Sequence, residues 1–223
     1  MTNHPLKIRA IHKSGSSLQS TIYDYINHLC NHNVIDFDRV FSEANHQEWF
    51  QSTKDSDIIV LRHPINRIIS KYYSLGWTHC TDNFNDESWK HRKEIRESSL
   101  SEYVISGKLL LRQRNMYEKI LSISNVCFLK YEDIMDKPKR YMSLILNKID
   151  RIDLLDKVYN NFKNEFVFHG KDRSDDIVNN GLISHVRNLD HKEYLNKFNE
   201  CEIFFINRIM GDLLERYDNL SSI

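Results

Sequence analysis

The stretch Lys7-Ile8-Arg9-Ala10-Ile11-His12-Lys13-Ser14-Gly15-Ser16-Ser17-Leu18 sets the class of the fold. Lys7 to His12 alternates and carries β-branched residues, which reads as a short strand. The polar turn Lys13-Ser14-Gly15-Ser16 follows at once. Leu18, Ile22, Tyr25, Ile26 and Leu29 then recur at the helical period, giving one apolar stripe. A strand, a tight polar turn and an amphipathic helix form the opening half of a βαβ unit.

The same alternation continues outward. Val34 to Phe41 reads as a second strand, and Asp57 to Leu61 is a compact apolar run suited to a strand buried on both faces. Pro64 stands where a helix can begin, and Ile65 to Leu75 reads as that helix. Asn83 to Glu97 is polar and has no clean period, so Gly76 to Glu97 is expected to be a loop. Leu100 to Ser122 reads as mostly helical, and Val126 to Tyr131 as a strand. Helices are expected from Pro138 to about Ile149, over Leu154 to Phe162, and from about Phe198 to Tyr217. Gly170 to Asn180, rich in Asp, Asn and Ser, reads as a loop. Strands alternating with helices imply a three-layer α/β fold, with a central, mostly parallel sheet flanked by helices. No linker or repeat interrupts it, so residues 1–223 are expected to form a single domain.

Composition narrows the function. Thirty-one basic and 31 acidic residues cancel, which weighs against a whole-surface nucleic-acid binder but permits a local cationic pocket. Only 6 Gly and 3 Pro leave little material for the turns of a sandwich or barrel. Cys30, Cys80, Cys127 and Cys201 are widely spaced and form no C-x-x-C pair, so neither a disulfide scaffold nor a zinc ribbon is expected. Met1 to Leu6 lacks an apolar core of a signal peptide, and no apolar run is long enough to span a membrane. A cytoplasmic protein is the expectation. His28 and His32 stand four apart with Cys30 between them, but no further ligand is evident and no metal is expected.

Two stretches carry candidate chemistry. Lys13 to Ser17 offers a cation, three hydroxyls and free backbone N–H groups at a helix N-terminus, a natural anion site. A Ser-capped helix after a glycine turn would account for the same residues. It is not a nucleoside-triphosphate P-loop, because Lys precedes Gly15 and no glycine lies upstream of it. Arg62 ends a buried strand, at the edge where α/β sheets bind ligands, and Ser70 lies on the following helix. A guanidinium fork with a hydroxyl suits a phosphate monoester, although a solvated basic helix would read the same way.

Together these stretches resemble the sulfotransferases that use 3′-phosphoadenosine 5′-phosphosulfate (PAPS). Lys13-Ser14-Gly15-Ser16-Ser17 is similar to the family's 5′-phosphosulfate loop, and Arg62-His63-Pro64 with Ser70 and Tyr72-Tyr73 to its 3′-phosphate motif. Leu129-Lys130-Tyr131-Glu132-Asp133-Ile134 with Lys137-Pro138 resembles the family's L-x-Y-E-D-L strand and Pro-led helix. Arg187 to Tyr194 lines up on R-K-G-x-x-G-D-W, where Arg187 is identical, Asn188 replaces Lys and both glycines are lost.

The resemblance implies a P-loop-like sulfotransferase fold and transfer of a sulfuryl group from PAPS to an acceptor hydroxyl, leaving 3′-phosphoadenosine 5′-phosphate (PAP). The acceptor would be a small metabolite, a saccharide or a lipid head group. By resemblance Lys13 stabilises the leaving oxygen. Ser14, Gly15, Ser16 and Ser17 hold the 5′-phosphate, Arg62, Ser70 and Arg187 hold the 3′-phosphate, and Tyr131 touches the nucleotide. His46, in Ala44-Asn45-His46, stands near the family's K-T-H base, with Glu43 as the second candidate. A PAP- or PAPS-binding protein without transferase activity is the alternative, with a P-loop nucleotide kinase behind it.

Overall fold

The computed structural model describes residues 4–11, 13–14, 16–40, 58–78, 85–165 and 193–220. These fall into two compact units, each drawn from separate stretches of chain. The first takes in the ranges 1–62, 120–168 and 218–223, and the second 63–119 and 169–217.

The first unit is built on a parallel sheet of β1 (Leu6–Ile11), β2 (Ile35–Val40), β3 (Ile58–Leu61) and β4 (Cys127–Lys130). Their order is β2-β1-β3-β4, and every neighbouring pair is parallel. Ile8 and Ala10 of β1, Ile58 and Val60 of β3, and Leu129 of β4 point to one face. There they meet Ile22, Tyr23 and Ile26 of α1 (Ser16–Cys30) and the helices that follow β4. These are α6 (Tyr131–Asp136), α7 (Pro138–Lys148) and α8 (Leu155–Glu165), the last entered through a 3₁₀ turn at Ile152–Leu154. Ile59 and Leu61, of opposite parity, are also fully buried, which is why β3 reads as an unbroken apolar run.

Register between β1 and β2 has a charge pattern. Lys7 stands opposite Asp36 and Arg9 opposite Asp38, and their side chains lie 3.6 and 3.7 Å apart. A one-residue slip would set Lys7 opposite Ile35 or Phe37 and Arg9 opposite Phe37 or Arg39, losing both pairs and turning β2 over. The α1–β2 connection is held by Asn27, whose Oδ1 accepts from the amides of Val34 (3.0 Å) and Ile35 (2.9 Å).

The second unit contains α2 (Pro64–Tyr73), a π-helical turn at Ser74–Thr78, α3 (Asp86–Glu97), α4 (Leu100–Ile105), α5 (Gly107–Leu121), α9 (Glu193–Lys197) and α10 (Glu200–Asp218). Two ends of this set, the last residues of α5 and of α10, belong to the first unit. Tyr72 sits among the rings of Tyr73, Trp77 and Tyr103 at centroid distances of 5.1 to 5.3 Å. Arg114 of α5 ties down α10 through the Asp212 carboxylate at 2.8 Å and the Ile209 carbonyl.

Two local expectations are corrected and a third is refined. The span expected to be a loop from Gly76 to Glu97 contains α3. Asn85 caps it by accepting from the Ser88 amide, Asp86 and Glu87 complement its dipole, and Arg92 and Ile95 are its only buried residues. So narrow an apolar stripe gives no visible period, and the helix rests on its cap and charges instead. Arg92 and Arg96 then donate to the carbonyls of Leu75 (2.8 Å) and Gly76 (2.6 Å), fastening α3 to the π-helical turn. Leu100 to Ser122 is mostly helical, with a break at Ser106, whose amide still bonds the Glu102 carbonyl while α5 starts at Gly107. Tyr131, read as the end of a strand, is the first residue of α6. The short helix α9 had no periodic signal at all, being only five residues long. Gly170 to Asn180 lies outside the described residues.

Candidate functional site

Parallel strands present all their C-terminal ends at one edge of the sheet. β2 lies on one side of β1 and β3 on the other, so the chain reverses its direction of sheet growth between β1 and β3. Crevices at such a switch point are where open α/β sheets take ligands. Lys13 and Ser14 follow β1, Arg62 follows β3, and Tyr131 follows β4. Three stretches separated by up to about a hundred residues of sequence therefore reach one edge because of strand order alone.

The contacts there are specific. Arg62 Nη1 donates to the Lys13 carbonyl at 3.3 Å, and its guanidinium lies over the Tyr131 ring, 5.2 Å from the centroid. Arg62 and Tyr131 are each only 8% exposed, so the cation sits on a largely dry aromatic face. Burial pushes the Tyr131 phenol above its ordinary range, with Arg62 acting in the opposite direction. Tyr131 is thus a neutral partner to Arg62 at any physiological pH.

Lys13 has φ of 70°, in the left-handed region that a side chain with a Cβ seldom occupies. A non-glycine residue held there is the kind of local strain that gathers at binding sites. The Ser14 amide returns to the Ile11 carbonyl at 3.1 Å, which closes the turn. Ser14 is fully buried, and its hydroxyl has no hydrogen-bond partner among the described residues. Helix α1 opens at Ser16, next to this turn, and has no acidic residue in its first turn. α3 and α4, by contrast, carry Asp86, Glu87 and Glu102 there. The start of α1 thus keeps its positive dipole end without a carboxylate of its own, beside an orphaned hydroxyl and a lysine. Ser17 is exposed.

Ser70 lies on α2 in the second unit and is half-buried. His63 stacks on Tyr194 with ring centroids 4.7 Å apart and meets Tyr217 edge-on at 5.6 Å. His63 belongs to Arg62-His63-Pro64 and Tyr194 to the segment that begins at Arg187, so one residue from each of these two stretches meets the other through its ring. Gly15, Glu43, His46 and Arg187 lie outside the described residues. In the discounted metal set, His32 Nδ1 is engaged with the Cys30 carbonyl at 2.6 Å.

Gln19, Tyr23 and Tyr141 were missed from the sequence. Gln19 and Tyr23 sit four apart on the buried side of α1, so a polar side chain occupied a core position of that helix. That mismatch was the available signal. These three stand behind the Lys13–Ser14 turn, on the side away from its candidate ligand-facing groups.

No curated protein matches the sequence. Among solved structures, mouse sulfotransferase SULT7A1 complexed with PAP is similar at 13% identity, over 98% of this chain and 89% of that chain, with a TM-score of 0.48. No helix among the described residues is long and apolar enough to cross a membrane. The sequence matches the family described as "Sulfotransferase family" over residues 2–203, nearly its whole length, and the chain belongs to that family.

Proposed function

We propose that the chain transfers a sulfuryl group from PAPS to an acceptor hydroxyl, giving a sulfate ester and PAP. The observation that carries this reading is the family match across residues 2–203. The gathering of Lys13, Ser14, Arg62 and Tyr131 at one sheet edge supports it. The acceptor is a small metabolite, a saccharide or a lipid head group. A cytoplasmic location fits Cys30, Cys127 and Cys201, which are free thiols.

The residues present fit the nucleotide. The 5′-phosphate would sit at the start of α1, where Ser16 and Ser17 follow Ser14, whose hydroxyl has no partner among the described residues, and Gly15 keeps its role as a proposal from the family resemblance. A phosphate oxygen accepting from that hydroxyl would remove a desolvation cost of about 1–3 kcal/mol. Arg62 would fork onto the 3′-phosphate while its ring contact to Tyr131 holds it in place. Ser70 and Arg187 keep their 3′-phosphate roles as proposals from the family resemblance alone.

In the transfer, the acceptor oxygen forms a new S–O bond as the bond from sulfur to the 5′-phosphate oxygen breaks. Charge builds on that departing oxygen, where the Lys13 ammonium would neutralise it. The acceptor proton passes to a base, His46 or Glu43. Like phosphoryl transfer, the step needs positioning and charge stabilisation more than covalent help from the protein.

Recognition of the 3′-phosphate is tested by thermal denaturation. A ligand at a hundred times its Kd adds about 2.7 kcal/mol to the folded state. PAP should therefore raise the melting temperature by several degrees and ADP at the same concentration by far less. Equal shifts would remove the 3′-phosphate from the reading. For the base, His46→Ala should lower kcat by roughly a hundredfold or more with PAP affinity kept. If Glu43→Ala shows that loss and His46→Ala does not, the base is Glu43.

A further inference from the structure

Behind the Lys13–Ser14 turn lies a file of buried polar groups. Gln19 Nε2 donates to the Ser14 carbonyl at 2.5 Å. Gln19 Oε1 accepts from the Tyr23 hydroxyl at 3.4 Å, and the Tyr23 and Tyr141 hydroxyls lie 2.6 Å apart. Gln19 and Tyr23 are fully buried and Tyr141 is 1% exposed, so these bonds are shielded from bulk water. The directions are forced. A carbonyl oxygen can face only a donor, which fixes the Gln19 amide with nitrogen toward Ser14 and oxygen toward Tyr23. Tyr23 spends its proton on that oxygen, so Tyr141 donates to Tyr23. Burial raises both phenols above their ordinary range, and each remains a neutral donor.

The file spans three elements. Tyr141 is on α7, Tyr23 and Gln19 are on α1, and Ser14 is in the turn after β1. A polar chain is costly in an apolar core unless every member is matched. Around it are Ile22, Ile26, Met142 and Ile145, which need no polar neighbours. Leucine or methionine at position 19 would pack there without that requirement. What the polar choice adds is a fixed Ser14 carbonyl. A planar trans peptide carries C=O and N–H on opposite sides, so a carbonyl held within the core commits its whole peptide plane. The neighbouring Lys13 carbonyl is held separately by Arg62. Two successive carbonyls of the strained turn are thus drawn into the protein.

We propose that Gln19, backed by Tyr23 and Tyr141, is a positioning residue that pre-sets the Lys13–Ser14 turn and the start of α1 for the 5′-phosphate. This rests on the reading of that turn as the PAPS site. Its contribution is preorganisation: the turn need not be ordered by the ligand, and affinity for the nucleotide rises accordingly.

The test measures PAP affinity by calorimetry, with KM for PAPS and for the acceptor, in wild type, Gln19→Met, Tyr23→Phe and the double variant. Gln19→Met should weaken PAP binding about tenfold and raise KM for PAPS in step, leaving KM for the acceptor unchanged. Tyr23→Phe removes one oxygen and should weaken PAP less, by roughly threefold. Because Tyr23 acts through Gln19, the double variant should bind PAP no worse than Gln19→Met. Wild-type affinity in Gln19→Met, additive losses, or a matching rise in acceptor KM would each overturn the proposal. If melting shows that Gln19→Met does not fold, Tyr23→Phe decides, and unchanged PAP affinity there overturns it. Failure of wild type itself to bind PAP overturns the nucleotide reading and this proposal together. Wild-type binding with unaffected variants overturns only the latter.

Discussion

Lys13→Ala is expected to lower turnover by roughly a hundredfold or more, with a much smaller change in KM for PAPS. The split follows from when the charge appears. The bridge oxygen gains negative charge only as the S–O bond breaks, so an ammonium placed there would act mainly on the transition state. The position offers an internal control. With φ at 70°, Lys13 occupies a conformation that glycine adopts freely and alanine does not. Lys13→Gly should therefore be more stable than Lys13→Ala by about 1–2 kcal/mol, while both lose turnover equally. Equal turnover loss with unequal stability assigns the loss to the missing ammonium rather than to a disturbed turn. Initial-rate kinetics and chemical denaturation of the two variants check this. Turnover near wild type in either one removes Lys13 from the chemistry.

Arg62→Ala is expected to raise the Kd for PAP by about a hundredfold, the scale of one charge-assisted forked contact to phosphate. Arg62 has two structural engagements besides: the bond to the Lys13 carbonyl and the face of Tyr131. Arg62→Lys should recover little, because an ammonium offers no planar fork and stacks poorly. ADP separates the two roles. If Arg62 holds the 3′-phosphate, affinity for ADP, which lacks that group, should fall far less than affinity for PAP. Equal losses in calorimetric titrations of both would mean that Arg62 serves only to brace the turn.

These predictions stand on residues that were legible in the sequence, and the reason is the regularity of a parallel sheet. β1, α1, β2 and β3 each carry a period or an unbroken apolar run, and Lys13 and Arg62 stand at strand ends that those patterns locate. Strand order was not legible. That β3 lies on the far side of β1 from β2 depends on which helices cover which face, and no local pattern reports it. Yet this order is what brings Lys13 and Arg62 together. Helix α3 escaped for another reason: it depends on the Asn85 cap and its end charges, with only Arg92 and Ile95 buried. The Gln19 file was visible only as a polar residue on an apolar stripe. Its partner Tyr141 is 118 positions from Tyr23, a separation that sequence reading does not bridge.

The central claim is sulfuryl transfer, and its most direct measurement is the fate of labelled sulfate. PAPS carrying radiolabelled sulfur is incubated with wild type and with Lys13→Ala, against a panel of hydroxyl-bearing metabolites, saccharides and lipid head groups, and sulfated products and PAP are counted together. The expected result is label on at least one acceptor, PAP formed in equal amount, and both reduced about a hundredfold in Lys13→Ala. A wild-type chain that binds PAP tightly and moves label to no member of the panel would contradict transferase activity and leave a nucleotide-binding protein in its place.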